Sequence, residues 1–117
     1  MKRIFILTVI LLATGFVRAD QDPLVVNSKT MALKLDNSRV RVLEATLKSG
    51  DKENTHSHPA YVIYVIEGGK VRMHGVDGSV VEAEFRTGDV LYREAVTHWA
   101  ENIGTTTIRL VLVELKS

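Results

Sequence analysis

Two histidines separated by a single residue are the strongest chemical signal in this chain. His56 and His58 follow a predicted turn at Gly50 and precede the apolar, β-forming run of residues 61–66. In a strand, residues i and i+2 point to the same face, so the two imidazoles are predicted to project side by side. This arrangement predicts a pair of neutral metal ligands; the alternative is a pair of solvated loop histidines.

A third histidine completes a candidate metal site. His98 begins another strand-like segment, in which Ala100 and Asn102 share its face while Trp99 and Glu101 face the other way. Three converging imidazoles suit Fe(II), Mn(II), Ni(II), Cu(II) or Zn(II), and the sequence does not choose among these ions. A buried structural histidine is the alternative for His98.

The segments that must position these histidines are short predicted β-strands. Turn signals recur about every ten residues, as in a sandwich or small barrel. The Asp77-Gly78 pair suits the positive φ of a hairpin turn, and residues 105–115 alternate apolar side chains between two faces. His74 precedes this hairpin and is predicted to point to solvent, not to a metal. The predicted fold class is all-β, with no helix longer than a turn.

The order of these segments resembles the cupin family. The first cupin motif runs Gly, five residues, His, one residue, His, three or four residues, Glu, six residues, Gly. Gly50, His56, His58 and Gly69 fit this pattern, with Val62 in the position of the Glu; the longer spacing puts Ile63 there, and use of Gly68 puts Tyr61 there. Such a motif predicts a site only together with its structural context.

The second cupin motif is present in part. It typically runs Gly-Asp-Val, an apolar pair, Pro, a turn, His, three residues, Asn. Gly88-Asp89-Val90 match its start, and His98 and Asn102 have the expected spacing. The proline is absent and the loop before His98 is one residue short. The resemblance covers residues 40–115.

Several expectations follow from this resemblance. It implies a double-stranded β-helix, the cupin jelly-roll barrel, in which His56, His58 and His98 bind a divalent transition metal. It also implies an exported small cupin, either an oxygenase or related enzyme acting on a small organic acid, or a non-catalytic small-ligand or metal-binding barrel.

The carboxylate of the first motif is missing. Of the nearby acids, Glu67 lies in a turn and Glu101 has the wrong strand parity, so Glu94 is the one candidate left open. Three neutral imidazoles leave the full +2 charge of an ion uncompensated. Its open positions are expected beside Ala60 and Val62, which are predicted to continue the inner face. A small carboxylate is therefore the expected ligand.

Residues 1–19 have the features of a secretory signal peptide. Lys2 and Arg3 precede an apolar stretch, and Val17-Arg18-Ala19 fits cleavage before Asp20. The apolar stretch is short for a membrane span, which needs about 20 residues; the alternative is an uncleaved anchor helix. We expect a periplasmic or secreted protein that is free of the membrane after cleavage.

The mature chain is predicted to be one small domain. Residues 20–38 form an N-terminal arm and first strand, and residues 39–117 form the cupin domain. Without the three basic residues of the signal peptide, 12 of the 15 bases remain against 14 acids, a net charge of −2. This balance gives no electrostatic case for nucleic-acid binding. Jelly-roll edge strands need covering, which favours a homodimer.

Overall fold

The computed structural model describes residues 21–117, and the predicted signal peptide of residues 1–19 lies outside that range. The described chain forms these elements: α1 (Pro23–Val26), β1 (Met31–Asp36), β2 (Val40–Leu47), β3 (His56–His58), β4 (Tyr61–Glu67), β5 (Gly69–Gly75), β6 (Val80–Phe85), β7 (Val90–Arg93), β8 (Val96–Asn102) and β9 (Ile108–Leu115). No helix within residues 21–117 is long and apolar enough to cross a membrane.

The strands form two antiparallel sheets that enclose the core. The five-stranded sheet has the order β1-β2-β9-β4-β7, and the four-stranded sheet has the order β3-β8-β5-β6. The chain passes repeatedly between the sheets, so neighbours within a sheet are mostly distant in sequence. The predicted all-β class and the double-stranded β-helix are confirmed.

Alternation along β2 and β9 builds most of the inner face. Leu43, Ala45 and Leu47 are buried on β2, and Ile108 and Leu112 are buried on β9. Residues between them are only half-buried on the outer face. This period of two is the pattern that the sequence predicts, and it sets an apolar wall opposite the histidines.

The predicted inner face of β4 is wrong. Counting by two from His58 puts Val62 and Tyr64 inside, but Tyr64 is 47% exposed, while Tyr61 and Ile63 are each 2% exposed. The reason is that β3 belongs to the four-stranded sheet and β4 to the five-stranded sheet. The chain crosses between sheets at Pro59-Ala60, and alternation does not carry through the crossing.

The N-terminal arm packs against the domain. Asp22 caps α1, since its Oδ1 accepts a hydrogen bond from the backbone N–H of Leu24 at 2.9 Å. After α1 the chain enters β1, which pairs antiparallel with β2 from Met31 opposite Ala45 to Asp36 opposite Arg41. This arm places Asp22 and Asn27 next to the histidine-bearing strand.

Candidate metal centre

The structure brings His56, His58 and His98 together between the two sheets. His56 and His58 lie on β3, and His56 pairs directly with His98 on β8. Their exposed fractions are 1%, 4% and 7%. One potential ligand nitrogen from each ring lies within 4.8 Å of the others.

This spacing is wider than that of a bound metal site. Two nitrogens that share an ion at about 2.1 Å in tetrahedral geometry are about 3.4 Å apart. The 4.8 Å limit in the structure exceeds that separation by about 1.4 Å. Rotation of the rings toward a common point would have to close that gap. Imidazole nitrogens suit the divalent transition metals, so the donor set fits such an ion.

A chain of charged groups fixes the orientation of His58. Its Nδ1 lies 2.6 Å from Oε2 of Glu114, so Nδ1 carries the proton and Nε2 keeps its lone pair for the cavity. Arg41 donates from Nε to Glu114 Oε1 at 2.9 Å and forms an ion pair with Asp22 at 2.9 Å. Outer partners of this kind are typical of histidine metal ligands.

His56 is fixed by the backbone and the N-terminal arm. Its Nδ1 lies 2.8 Å from the carbonyl oxygen of Asn54 and 2.9 Å from the Nδ2 atom of Asn27, so both partners engage Nδ1 and leave Nε2 to the cavity. The Nδ2 atom of Asn27 also donates to that carbonyl, at 3.1 Å. In return, the Asn27 side-chain oxygen accepts from the Asn54 N–H at 2.7 Å.

Burial keeps the His56 and His98 rings neutral at pH 7. It lowers the pKa of His56 to about 4, with a further contribution from the charge of His58. It lowers the pKa of His98 to about 3, with contributions from the other two histidines and from Arg93. Neutral imidazoles are the form that binds metals, so no proton has to be displaced from these nitrogens near neutral pH.

Among residues 21–117, one carboxylate lines the cavity, and it is not one of those that the sequence indicated. Glu53 precedes β3, and its Oε1 lies 3.8 Å from Nε2 of His56. The same oxygen accepts a hydrogen bond from the Ala100 N–H at 3.0 Å. Burial raises the pKa of Glu53 to about 8.

A local bulge explains why strand parity missed Glu53. The Glu53 N–H donates to the carbonyl of Ala100 at 2.9 Å, while His56 pairs with His98. Three steps on one strand therefore match two steps on the other, which is a β-bulge. Because of the extra residue, Glu53 and His56 share the inner face although they are an odd number of residues apart.

The cavity around these groups is small and mostly apolar. It offers about 40 Å³ to the centres of water molecules, and about 10–15 Å³ is enough for one water. It therefore holds a few waters or a small ligand. Tyr61 lies at the polar end, with its ring stacked on His58 at a centroid distance of 4.5 Å. Burial raises the pKa of the Tyr61 hydroxyl.

The other acids that the sequence indicated lie elsewhere. The Glu94 carboxylate is exposed and lies 3.4 Å from the Tyr92 hydroxyl, outside the cavity. Glu101 is on the outer face of the four-stranded sheet, 3.0 Å from His74. His74 is on that outer face too, where its ring is stacked on Trp99 and not turned fully to solvent, and it lies outside the histidine cluster.

Sequence reasoning also missed two outer partners of the histidines. Glu114 could have been found by parity, because it continues the inward series of Leu110 and Leu112 on β9. Asn27 could not, because its contact with His56 joins residues 29 positions apart across the arm. No local pattern carries that information.

Comparisons with known proteins agree with this architecture. A model of the cupin domain matches residues 43–114. The crystal structure of a cupin domain from Bordetella pertussis superposes with a TM-score of 0.68 at 27% identity, over 74% of this chain and 92% of that one.

Two further structures share the fold at lower identity. A double-stranded β-helix protein from Klebsiella pneumoniae has a TM-score of 0.59 at 23% identity, over 73% of this chain and 74% of that one. A cupin family protein from Methanocaldococcus jannaschii has a TM-score of 0.59 at 15% identity, over 87% and 88%. No protein of curated function matches the chain significantly.

Proposed function

We propose that this chain, which belongs to the cupin domain family, binds one divalent transition metal through His56, His58 and His98. The observation that carries the proposal is the convergence of three buried rings within 4.8 Å. Hydrogen bonds to Nδ1 leave Nε2 of His56 and His58 free to bind. Fe, Mn, Ni, Cu and Zn all remain candidates, because each accepts imidazole ligands.

The ligand of this site is a small carboxylate. A bound divalent ion supplies a Lewis acid at the positions that the histidines leave open. Arg93 pairs with Tyr61 across β7 and β4, so the two side chains leave the sheet on the same face, and the Arg93 side chain is exposed at the rim. Its positive charge, close enough to lower the pKa of His98, favours an anion at the polar end. The apolar walls limit the rest of the ligand to a short hydrocarbon group.

Two functions are compatible with this ligand. One is an oxygenase or related enzyme that acts on a small organic acid. The other is a non-catalytic metal-binding or small-ligand barrel. The second is supported by the scarcity of acid–base groups: besides the histidines and the buried Tyr61, the cavity is lined by one ionisable side chain, Glu53. The first is supported by the coordination positions that three histidine ligands leave open for a substrate.

Metal analysis and oxygen uptake separate these functions. Residues 20–117 would be purified and their metal identified by mass spectrometry. Oxygen consumption would then be followed with a panel of small carboxylic acids. Metal-dependent consumption with one of these acids supports the enzyme. Binding of metal and acid without turnover supports the barrel, and absence of metal binding contradicts the whole proposal.

Metal should also stabilise the fold. An ion that binds only the native state shifts unfolding by mass action, by about 2.7 kcal/mol at a free concentration 100 times the Kd. We expect chelation to lower the melting temperature of the unaltered chain, and we expect His98→Ala to show little response to chelation. An unchanged melting curve on chelation of the unaltered chain would contradict the metal site.

We also propose that the protein is exported and forms a homodimer. Residues 1–19 supply the signal, and N-terminal sequencing of the exported protein should begin at Asp20. The outer face of β4 and β7 exposes Tyr64, Val90 and Tyr92 at 47%, 66% and 53%. Such adjacent apolar side chains favour a contact between copies. Sedimentation of the unaltered chain and of Tyr92→Lys tests this, since the variant should be monomeric.

A further inference from the structure

We propose that Glu53 is the fourth protein ligand of the metal, supplied by the loop before β3. The inference rests on the proposed metal site and adds a carboxylate to its three histidines. In this chain the carboxylate comes three residues before the first histidine, and the position after the second histidine, where the family motif has its Glu, is apolar.

The position of Glu53 is set by contacts of its backbone and its side chain with β8. Its N–H donates to the Ala100 carbonyl at 2.9 Å, and its Oε1 accepts from the Ala100 N–H at 3.0 Å. Next to it, Lys52 forms an isolated bridge with Glu101. These contacts hold the loop against β8, so the carboxyl is anchored at the wall of the cavity and not on a free loop.

The distance from Glu53 to the nearest histidine suits a shared ion. Glu53 Oε1 lies 3.8 Å from Nε2 of His56, and the Glu53 side chain is 7% exposed. Two atoms bound to one ion at about 2.1 Å are about 3.4 Å apart in tetrahedral geometry and up to about 4.2 Å apart when they lie opposite each other. The carboxylate is therefore within reach of a metal on His56, although it is not among the ligand atoms that lie within 4.8 Å of one another. Its second oxygen can bind while the first keeps the hydrogen bond to Ala100.

The other buried carboxylate on the inner face cannot take this role. Glu114 is engaged with Nδ1 of His58 and with Arg41, on the side of the ring away from Nε2. Glu53, by contrast, has no cation within the contacts described for residues 21–117, except His56, which burial keeps neutral. A buried carboxylate without a positive partner is costly. A divalent ion beside His56 supplies that partner.

This assignment changes the expected charge at the site. With Glu53 bound, the ion and its protein ligands carry +1, where three imidazoles alone would leave +2. A carboxylate ligand is then still attracted, but less strongly. Replacing Glu53 by Gln should therefore lower the affinity for the metal and raise the affinity of the bound metal for a carboxylate. If Glu53 had only a structural role, neither affinity would change.

Calorimetric titration of Zn(II) into metal-free protein tests this with matched variants. Gln keeps an oxygen for the Ala100 N–H, so Glu53→Gln preserves the bulge contact. The control Glu101→Gln removes a carboxylate from the outer face of β8. We expect Glu53→Gln to lower Zn(II) affinity by about 10-fold or more, because outer partners alone are worth about 10–100-fold. The control should stay within about twofold of the unaltered chain.

A second titration measures the effect on the anion. Acetate added to saturated Zn(II) protein should bind more tightly to Glu53→Gln than to the unaltered chain. Unchanged Zn(II) affinity and unchanged acetate affinity in Glu53→Gln would overturn the role of Glu53. Absence of Zn(II) binding to the unaltered chain would overturn the metal site itself, so the two failures are distinguishable.

Diffraction from Zn(II)-loaded crystals of the unaltered chain decides the question even if the variant does not fold. We expect one Glu53 carboxylate oxygen about 2.1 Å from the ion. A closest approach beyond about 3 Å would overturn the assignment, because it exceeds any Zn–O bond.

Discussion

The two faces of the four-stranded sheet carry the same residue types in opposite environments. On the inner face, His98 is 7% exposed and meets His56 and His58. On the outer face, His74 is half-buried, stacked on Trp99 at a centroid distance of 3.6 Å and 3.0 Å from Glu101. β8 contributes His98 to the inner face and Trp99 and Glu101 to the outer face, on alternate residues.

The two groups of histidines differ in which ring nitrogen already has a hydrogen-bond partner. The outer histidine already has a carboxylate on its Nε2, and Arg72 joins the same Glu101 at 3.4 Å. Surface ion pairs of this kind contribute little to stability, because solvent screens their charges. On the inner face, His56 and His58 have their partners on Nδ1 and present their Nε2 atoms to a cavity. Convergence from two strands and burial, not residue type, therefore make the inner face the candidate metal centre.

The largest expected effect comes from removing a histidine on each face. His98→Ala should lower the affinity for Zn(II) by more than about 100-fold, beyond the 10–100-fold that outer partners contribute. His74→Ala should change it by less than about twofold, because His74 shares no cavity with the other rings. Calorimetry on both metal-free variants measures the contrast. Equal losses would show that the faces do not differ in the way we describe.

A smaller loss is expected when the outer partner of His58 is changed. Glu114→Gln keeps an oxygen near Nδ1 of His58 but loses the charge that pairs with Arg41. Zn(II) affinity should fall by about 10–100-fold. The control is Glu44→Gln, a carboxylate on the outer face of the neighbouring strand that pairs with Arg109 at 2.7 Å. A fall of the same size in the control would contradict a specific role for Glu114.

The part of this picture that the sequence predicted is the part that follows from local periodicity. His56, His58 and His98 share the inner face because each lies within a regular strand segment, and the turn at Gly78, with φ of 88°, is where Asp77-Gly78 predicted it. Parity fails where the backbone leaves that regularity. Because of the bulge before β3, strand parity did not predict Glu53 on the inner face. Because of the crossing at Pro59-Ala60, parity predicted Val62 on the inner face, whereas it lies on the outer face.

The inner face also predicts an unusual pH dependence for the stability of the metal-free protein. The pKa values of His56 and His98 are lowered to about 4 and about 3 from an ordinary value near 6.5. The unfolded chain then binds protons that the folded chain does not, so stability falls as pH drops below 6.5. The pKa of Glu53 is raised to about 8, so stability falls as pH rises from about 4.5 to 8.

Together these groups place the maximum of stability near pH 6.5. Between pH 4.5 and 6.5 the two histidines outweigh Glu53. Above pH 6.5, Glu53 is the one of these three groups whose proton binding still differs between the folded and unfolded chain, which changes stability by about 1.4 kcal/mol per pH unit. Urea unfolding of metal-free protein between pH 5 and 8.5 measures this. Glu53→Gln should abolish the decline above pH 6.5, and Glu101→Gln should keep it. If stability still declined above pH 6.5 in Glu53→Gln, this decline could not be assigned to the titration of Glu53.

The smallest effect is expected at Val62. The sequence pattern placed Val62 beside the open positions of the metal, where a new Glu would tighten binding of the ion. In the structure Val62 is on the outer face, paired with Tyr92 on β7. Val62→Glu should therefore leave Zn(II) and acetate affinities within about twofold, whereas Ile63→Glu points inward and should change both. Tighter Zn(II) binding by Val62→Glu would mean that the inner face of β4 is misassigned.

Anomalous diffraction from crystals soaked in Zn(II) tests the central claim most directly. We predict one strong peak inside the barrel, about 2.1 Å from a nitrogen of each of His56, His58 and His98. A strong peak at His74 and Glu101 with none inside the barrel would contradict it.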